Sequence, residues 1–249
     1  MTPHCRYVQR LADTNLVLAQ RLGEWVGHAP ALEEDLGLAN IALDLLGQAR
    51  LLLAHAGELE GRGRSEDDLA YLRAESEFLN LTLVEQPNGD FGQTIVRQCL
   101  FDTWQVALYE ALQQSKDAVL AAIAAKGARE SAYHLRYSSG WLVRLGDGTP
   151  ESHRRVQQAL ERLWPFTNEL LDADDVDRAA AEAGIGPAPG LLAASWSGRM
   201  DEALAEATLA RPPPAPFNWY GKQGRHGEHL GYLLAEMQSL HRAHPGATW

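Results

Sequence analysis

The chain has 249 residues, of which 45% are hydrophobic and 22% charged, a composition typical of a globular protein with one large domain or two small ones. The formal net charge of −11 at pH 7 argues against nucleic acid as a partner, because binding a phosphate backbone needs clustered Lys and Arg. No stretch reaches about 18 uninterrupted apolar residues and no signal-peptide core follows Met1, so we expect no membrane partner and a cytoplasmic location.

Hydrophobic spacing along the chain predicts a series of helices. Ser65 followed by Asp68 is a capping box, Asp90 is a candidate N-cap, and Thr149 before Pro150 places proline at the first position of a helix. In chain order the predicted helices span about 5–28, 31–58, 66–83, 90–114, 116–145, 150–171, 173–183, 198–209 and 226–243.

The connections between these helices predict the fold class. Short connections make 5–28 and 31–58 one antiparallel pair, and 90–114 and 116–145 a second. Pro212–Pro214 and Pro216 predict an extended linker before the last helix. Since no segment alternates with a period of two, we predict an all-α protein, a ferritin-like four-helix bundle with additional helices. It is expected to be one domain over 1–249, with a core bundle at about 5–145 and additional helices at about 150–249.

The second predicted helix carries Asn40, Asp44 and Gln48, one polar residue every four positions in an otherwise apolar run. This spacing places all three on one helix face and predicts that the Asp44 carboxylate points into the interior. A buried carboxylate costs several kcal/mol unless a proton, a charge partner or a metal compensates it. An Arg or His from a neighbouring helix is the main interpretation for Asp44, and a metal is the alternative.

Carboxylate-bridged di-iron sites in such bundles take one carboxylate from each of two helices and a Glu-x-x-His pair from each of the other two. Gly47 stands where the first histidine should be, and Ser131 stands where the second glutamate should be. With short ligands and two of them missing, we predict no tight di-iron binding, no catalytic residue and no cofactor in this chain. The six vestigial positions are Asp13, Asp44, Gly47, Asp102, Ser131 and His134.

The polar residues of the second pair also have simpler explanations. Glu130 lies one turn before His134, so a local ion pair accounts for this histidine. Asp102 is flanked on its helix face by Gln98 and Gln105, which predicts a buried polar network.

The C-terminal part of the chain is richer in basic residues. The run from Gly221 to Arg225 is a basic, glycine-containing loop before a helix, where Lys222 and Arg225 are candidates for contact with phosphate, although a plain loop is the simpler interpretation. His226 and His229 lie three apart and could bind a metal, but no third ligand is nearby.

Several runs resemble the PaaC-type subunit of the bacterial ring-1,2-phenylacetyl-CoA epoxidase. The resemblance extends over nearly the whole chain and is least distinctive at 183–218. The runs are Gln20–Pro30 (QRLGEWVGHAP), Leu38–Arg50 (LANIALDLLGQAR), Val84–Asp90 (VEQPNGD), Tyr133–Arg136, Trp141–Gly146, Gly227–Gly231 and Leu234–Gln238.

The resemblance implies a non-catalytic, ferritin-like structural subunit that has lost its di-iron site. Its partner would be a paralogous di-iron catalytic subunit in a monooxygenase complex that, with a separate reductase, epoxidises the ring of phenylacetyl-CoA in aerobic phenylacetate catabolism. Coenzyme A carries several phosphates, so Lys222 and Arg225 become candidate contacts to the thioester. Candidates for the hetero-oligomer interface are Trp25, Trp104, Tyr109, Tyr133, Tyr137 and Trp141.

Two other functions stay open at this point. An autonomous ferritin-like metal-dependent oxidase would hold one or two irons per chain, which Gly47 and Ser131 disfavour. A free-standing helical scaffold without any oxygenase link would hold no iron and bind no catalytic subunit.

Overall fold

The computed structural model describes residues 1–247, which are helical and contain no strand apart from an isolated antiparallel bridge between Tyr220 and Arg225. The all-α prediction is confirmed. The α-helices are α1 (Pro3–Gly23), α2 (Leu32–Glu60), α3 (Glu66–Tyr71), α4 (Phe91–Leu112), α5 (Ala118–Gly146), α6 (Pro150–Leu163), α7 (Thr167–Leu171), α8 (Asp175–Glu182), α9 (Leu191–Glu206) and α10 (Glu228–Ala243), with short 3₁₀ turns at Glu75–Glu77, Thr82–Glu85, Trp164–Phe166 and Gly221–Gln223.

These helices belong to two compact units. Unit 1 contains Met1–Pro87 and the C-terminal segment from Tyr220 onward, and unit 2 contains Asn88–Trp219. Unit 1 therefore holds α1–α3 and α10, whereas unit 2 holds α4–α9. The expectation of a single domain over 1–249 stays a prediction.

Unit 1 is built on the antiparallel pair α1 and α2. The Cys5 thiol at the start of α1 donates to the Ala56 carbonyl near the end of α2, and the Asn15 amide donates to Gln48 Oε1 at 3.1 Å. These contacts fix an antiparallel register, as the short connection predicts. On α1, residues all round the helix are buried, and within unit 1 the helix packs against α2, α10 and the 3₁₀ turn Thr82–Glu85.

Unit 2 is built on the antiparallel pair α4 and α5. Tyr109 on α4 lies so close to Gly127 on α5 that a Cβ there would fall 2.5 Å from its ring. The α9 helix packs on the same pair, and its Trp196 donates to the Leu100 carbonyl at 2.9 Å. Both predicted antiparallel pairs are thus present, which agrees with the ferritin-like class.

The predicted caps are confirmed. The Ser65 hydroxyl accepts from Asp68 N at 3.1 Å and Asp68 accepts from Ser65 N at 2.8 Å, the two bonds of a capping box. Asp90 accepts from Gln93 N at 2.9 Å, and Thr149 caps α6 with Pro150 at the first helical position. These contacts are local in sequence, so pattern alone finds them.

The predicted helix over 66–83 is wrong beyond Tyr71. Segment 72–90 has only two short 3₁₀ turns, yet most of 78–85 is buried. Besides the bonds within these turns, its backbone groups bond distant side chains: Leu81 N donates to Thr14 Oγ1 at 3.2 Å, and Arg21 donates to the Glu85 carbonyl at 2.8 Å. Since buried backbone groups need partners, these bonds replace a helix ladder.

Three further boundaries differ from the predictions. The first helix, predicted to run to 28, ends at Gly23. The helix predicted over 150–171 is interrupted by the 3₁₀ turn Trp164–Phe166, where Pro165 has no N–H for the helical ladder. The helix predicted from 198 begins at Leu191, after Gly190 with a φ of 84°. No helix lies between Glu206 and Gly221, as the proline run predicts.

The α2 helix is the most apolar element that the structure describes. By length and composition Leu32–Glu60 could span a membrane, but the core helix of a globular protein meets the same test. Several of its leucines are exposed, among them Leu32 at 72%, Leu36 at 57% and Leu43 at 65%. The helix therefore has an apolar face that its own unit does not cover.

Candidate functional site

The six vestigial di-iron positions are divided between the units. Asp13, Asp44 and Gly47 lie on α1 and α2 of unit 1, whereas Asp102, Ser131 and His134 lie on α4 and α5 of unit 2. Each set is described within its own unit.

Asp13 is a fully buried carboxylate held by a guanidinium. Arg73 Nη1 donates to Asp13 Oδ2 at 2.9 Å and Arg73 Nη2 donates to Oδ1, while Leu79 N also donates to Oδ2 at 2.9 Å. The Arg73 side chain is 1% exposed and lies over the Phe78 ring. Bidentate pairing of this kind compensates the buried charge, and it occupies both carboxylate oxygens.

The polar stripe of α2 does not lie on one buried face. Gln48 is buried and accepts from Asn15, but Asp44 is only half-buried and Asn40 is exposed. The prediction is wrong for Asn40 and only partly right for Asp44. Four-residue steps advance about 40° around a helix with 3.6 residues per turn, so Asn40 and Gln48 point roughly 80° apart.

Gly47 leaves open space on the surface of α2. A Cβ at this position would meet no atom within 4 Å, so packing does not require glycine here. The glycine offers no ligand atom at the position where a di-iron template carries histidine.

Asp102 is a fully buried carboxyl without a cationic hydrogen-bond partner among the described residues. Burial raises its pKa to about 8, although the hydrogen bond from Ser138 Oγ at 2.7 Å and the charge of Arg97 lower it. The other carboxyl oxygen, Oδ1, has no hydrogen-bond partner within residues 1–247. Asp102 is therefore mostly protonated at pH 7 in the chain without a metal.

Ser131 and His134 complete the unit 2 set. Both are buried, and Ser131 Oγ donates to Gln105 Oε1 at 3.1 Å. Glu130, the predicted partner of His134, lies 3.4 Å from Lys126 Nζ. A serine hydroxyl bonded to an amide replaces the glutamate of a di-iron template.

The residues of the predicted polar network around Asp102 are buried, but their hydrogen bonds form separate pairs. Gln105 bonds Ser131, and Asp102 bonds Ser138. Both polar atoms of the buried Gln98 amide lack a hydrogen-bond partner in the part of the chain that the structure describes. Unpaired buried polar groups are costly, so unit 2 retains polar side chains at the cost of stability.

The basic loop at 221–225 is fixed by close backbone contacts. A Cβ on Gly221 would fall 2.4 Å from the Asn80 carbonyl oxygen, and one on Gly224 would fall 2.4 Å from that of Ser76. Both glycines are thus required by packing. Arg225 is exposed and Lys222 is half-buried, so the two predicted phosphate contacts lie at the surface of this loop.

The two histidines after this loop do not form a pair. The His226 ring is buried and bonds Glu85 at 2.6 Å, whereas the His229 side chain is 34% exposed and lies 4.0 Å from Glu228. Sequence spacing alone did not indicate this difference.

The aromatic interface candidates fall into two classes. Trp104 and Tyr109 are buried inside unit 2, where Trp104 contacts Phe101, so their prediction as interface residues is wrong. Tyr133 is 48% exposed. Trp25, Tyr137 and Trp141 are half-buried and remain candidates for the hetero-oligomer interface.

Three functional partners were not found from sequence. Arg73, Glu85 and Ser138 lie far in sequence from Asp13, His226 and Asp102, the residues that they bond. Ser138 alone had a signal, because it lies four positions after His134 on the same face of α5.

Comparison with known proteins identifies relatives of the whole chain. Residues 1–249 match the family described as phenylacetic acid catabolic protein (PaaA_PaaC). The chain is also 55% identical, over 243 residues, to the C subunit of the 1,2-phenylacetyl-CoA epoxidase of Escherichia coli (strain K12), an alignment that covers 98% of each chain. The resemblance predicted from the sequence is confirmed.

Proposed function

The chain belongs to the phenylacetic acid catabolic protein family, and we propose that it is a subunit of a 1,2-phenylacetyl-CoA epoxidase, a monooxygenase complex of aerobic phenylacetate catabolism. The observation that carries this proposal is the 55% identity, over 98% of both chains, to the C subunit of such an epoxidase. In this proposal the chain is non-catalytic and cytoplasmic. It pairs with the paralogous di-iron catalytic subunit, and other components, including the reductase, complete the hetero-oligomer.

The vestigial positions support a role without iron in this chain. The residues present do not fit a di-iron site, because Arg73 and Leu79 N occupy both oxygens of Asp13. Gly47 and Ser131 replace two further ligands. A site that lacks charge and ligands cannot compensate two cations.

The exposed face of α2 supports association with a permanent partner. Leu36 and Leu43 lie two turns apart on this face with more than half of their surface exposed. Large apolar side chains exposed along one helix are typical of protein–protein interfaces. Covering the patch with the catalytic subunit would remove it from water and hold the helices of the partner in place.

A contact between the basic loop and the thioester belongs to the same proposal. Lys222 and Arg225 lie on a loop whose backbone is fixed by Gly221 and Gly224. A fixed backbone lowers the entropy cost of presenting two cations to a phosphate. Coenzyme A phosphates bound to the complex would be the ligand.

Coexpression with the catalytic subunit tests the proposed function. We expect the two chains to copurify as a stable complex, with iron in the catalytic subunit and less than about one-tenth of an iron per molecule of this chain purified by itself. The double variant Lys222→Ala/Arg225→Ala should weaken thioester binding to the complex about tenfold. An unchanged affinity would contradict the proposed contact with coenzyme A but not the proposal that the chain is an epoxidase subunit.

Two outcomes would contradict the main proposal. Stoichiometric iron in this chain alone, with oxygen-dependent spectral changes, would identify an autonomous metal-dependent oxidase. If the chain neither copurified with the catalytic subunit nor contained iron, the results would support a free-standing helical scaffold.

A further inference from the structure

The His226 ring is buried between two acceptors of unit 1. Its Nδ1 lies 2.6 Å from Glu85 Oε1, and its Nε2 lies 2.8 Å from the Phe78 carbonyl oxygen. The His226 and Glu85 side chains are 1% and 0% exposed. Both ring nitrogens are therefore bonded away from water.

The hydrogen-bonding partners of His226 and Glu85 determine which ring nitrogens carry a proton. A carbonyl oxygen can only accept, so Nε2 carries a proton. The Glu85 carboxylate also accepts from Asn80 Nδ2 at 2.9 Å and from Gly227 N at 3.0 Å. Both Glu85 oxygens thus already accept a hydrogen bond from an uncharged donor, so this carboxyl acts as the acceptor for Nδ1 as well, and a ring that donates from both nitrogens is an imidazolium.

The charged groups around the ring agree with this assignment. The α1 helix contributes Arg21, which bonds the Glu85 and His229 carbonyls rather than the ring. Burial by itself lowers the pKa of His226, but the Glu85 carboxylate, the Phe78 carbonyl and the more distant Glu75 carboxylate outweigh it, so the pKa is raised above 6.5.

The charged neighbours on the same segment are directed elsewhere. The Arg225 guanidinium lies over the Tyr220 ring, and Glu228 lies 4.0 Å from His229. The Glu85 carboxylate is therefore the charged group that bonds the His226 ring directly.

The pair joins two segments that are far apart in sequence. Segment 220–229 contains the basic loop and the first turn of α10, and segment 75–85 contains the two 3₁₀ turns of unit 1. Gly221 and Gly224 contact the backbone of Asn80 and Ser76 closely, but these are van der Waals contacts. The hydrogen bonds of His226 and Gly227 to Glu85 and Phe78 are the polar attachment between these two segments. Segment 220–229 is also bonded to α1, where Arg10 donates to the Lys222 carbonyl and Arg21 to the His229 carbonyl.

We propose that protonated His226 is a pH-sensitive latch that holds segment 220–229 against segment 75–85, and that deprotonation of the ring at alkaline pH releases this segment. A neutral imidazole has one N–H and cannot donate to both Glu85 and Phe78. The ionised Glu85 then loses its counter-ion inside the protein. Lys222 and Arg225 lie on the released segment, so their order depends on the state of the His226 ring.

The sign of the pH dependence follows from the direction of the shift. Because the folded pKa is raised, the latch contributes its full stability below pH 6.5 and loses it as the pH rises through the folded pKa. One proton is released on opening within this window. The equilibrium constant for local opening should therefore rise up to about tenfold per pH unit and reach a plateau above the folded pKa.

Amide hydrogen exchange on the full chain between about pH 6 and 9 tests the latch, after correction for the intrinsic exchange rate. In the wild type we expect opening of 220–229 to increase with pH as described, while exchange in α5 stays constant. His226→Gln should open this segment at least about tenfold more at pH 6.5 and should abolish the pH dependence. His229→Gln, one turn away, is the matched control and should stay within about twofold of the wild type.

A second measurement covers the case in which His226→Gln does not fold. An NMR titration of the wild-type imidazoles should show both His226 nitrogens protonated at pH 7 and a pKa above 6.5. A pH-independent opening of 220–229 in the wild type, a His226 pKa at or below 6.5, or equal effects of the two substitutions would each overturn the latch.

Discussion

The two units contain the same problem, a carboxyl buried at a vestigial metal position, and they solve it differently. In unit 1 Asp13 keeps its charge because Arg73 and Leu79 N bond both oxygens. In unit 2 Asp102 receives one hydroxyl hydrogen bond and retains its proton, with a pKa of about 8. A counter-ion and a proton are the two general ways to compensate a buried carboxylate without a metal.

The two carboxyls also differ in the part that they play in their units. The Asp13–Arg73 pair is part of the architecture, because Arg73 also bonds the Leu69 and Glu77 carbonyls and so holds the irregular segment after α3. Within the described residues, the Asp102 cluster leaves Gln98 unpaired and bonds no cation directly. At the predicted vestigial position unit 1 has a structural ion pair, whereas unit 2 has a polar interior.

The largest expected effect is the loss of the counter-ion in unit 1. Arg73→Met leaves Asp13 charged and buried without a partner, so we expect a loss of about 3–5 kcal/mol in the free energy of unfolding at pH 7. Denaturant unfolding measures it. The double variant Arg73→Met/Asp13→Asn should lose less free energy of unfolding than the sum of the two single substitutions. A loss below about 1 kcal/mol for Arg73→Met would show that Asp13 does not depend on Arg73 as its counter-ion.

The intermediate effect is a pH dependence in unit 2. Between about pH 4 and pH 8 the unfolded chain has released the Asp102 proton while the folded chain keeps it, so wild-type stability should fall with rising pH relative to Asp102→Asn. The expected slope is on the order of 1 kcal/mol per pH unit, and the difference becomes constant above about pH 8.

Unfolding of both chains at several pH values between about 4 and 9 measures this difference. Asp13→Asn is the matched control in unit 1 and should be less stable than the wild type at pH 7, because it leaves Arg73 without its counter-ion. A wild-type chain that gains stability relative to Asp102→Asn as the pH rises would show that Asp102 is ionised, as Asp13 is.

The smallest effect concerns the hydrogen bond that Asp102 accepts from Ser138. Ser138→Ala should cost about 1 kcal/mol. Since this bond lowers the pKa of Asp102, its removal should extend the pH-dependent window to higher pH. The same unfolding series measures both changes, with Ser139→Ala as a control that leaves the Asp102 contact intact. If Ser138→Ala and Ser139→Ala had the same stability and the same pH dependence, the hydrogen bond from Ser138 would have no effect on Asp102.

Much of the scaffold was predictable from local patterns. The helix pairs α1–α2 and α4–α5, the capping box at Ser65, the cap at Asp90 and the proline start at Thr149 were all confirmed. The segment after Tyr71 was not, because its backbone is paired with side chains of α1 such as Thr14 and Arg21. A periodic pattern contains no information about such distant partners.

The vestigial di-iron site stays a prediction, and the structure adds how its residues are paired. The six vestigial positions and the missing ligands at Gly47 and Ser131 follow from spacing. That Asp44 is half-buried follows from the drift of a four-residue stripe around α2, which the prediction of a single buried face neglected. The absence of iron and the contact of Lys222 and Arg225 with coenzyme A stay predictions.

By itself the sequence determined the all-α class, the two helical hairpins and the family, because helix periodicity and caps depend on residues within one or two turns of each other. Only the tertiary structure decided how the buried ionisable groups are compensated: Asp13 by Arg73, Asp102 by a proton, and His226 by Glu85. These outcomes depend on burial and on partners 36 to 141 positions away in the chain. Local pattern cannot specify contacts over such separations.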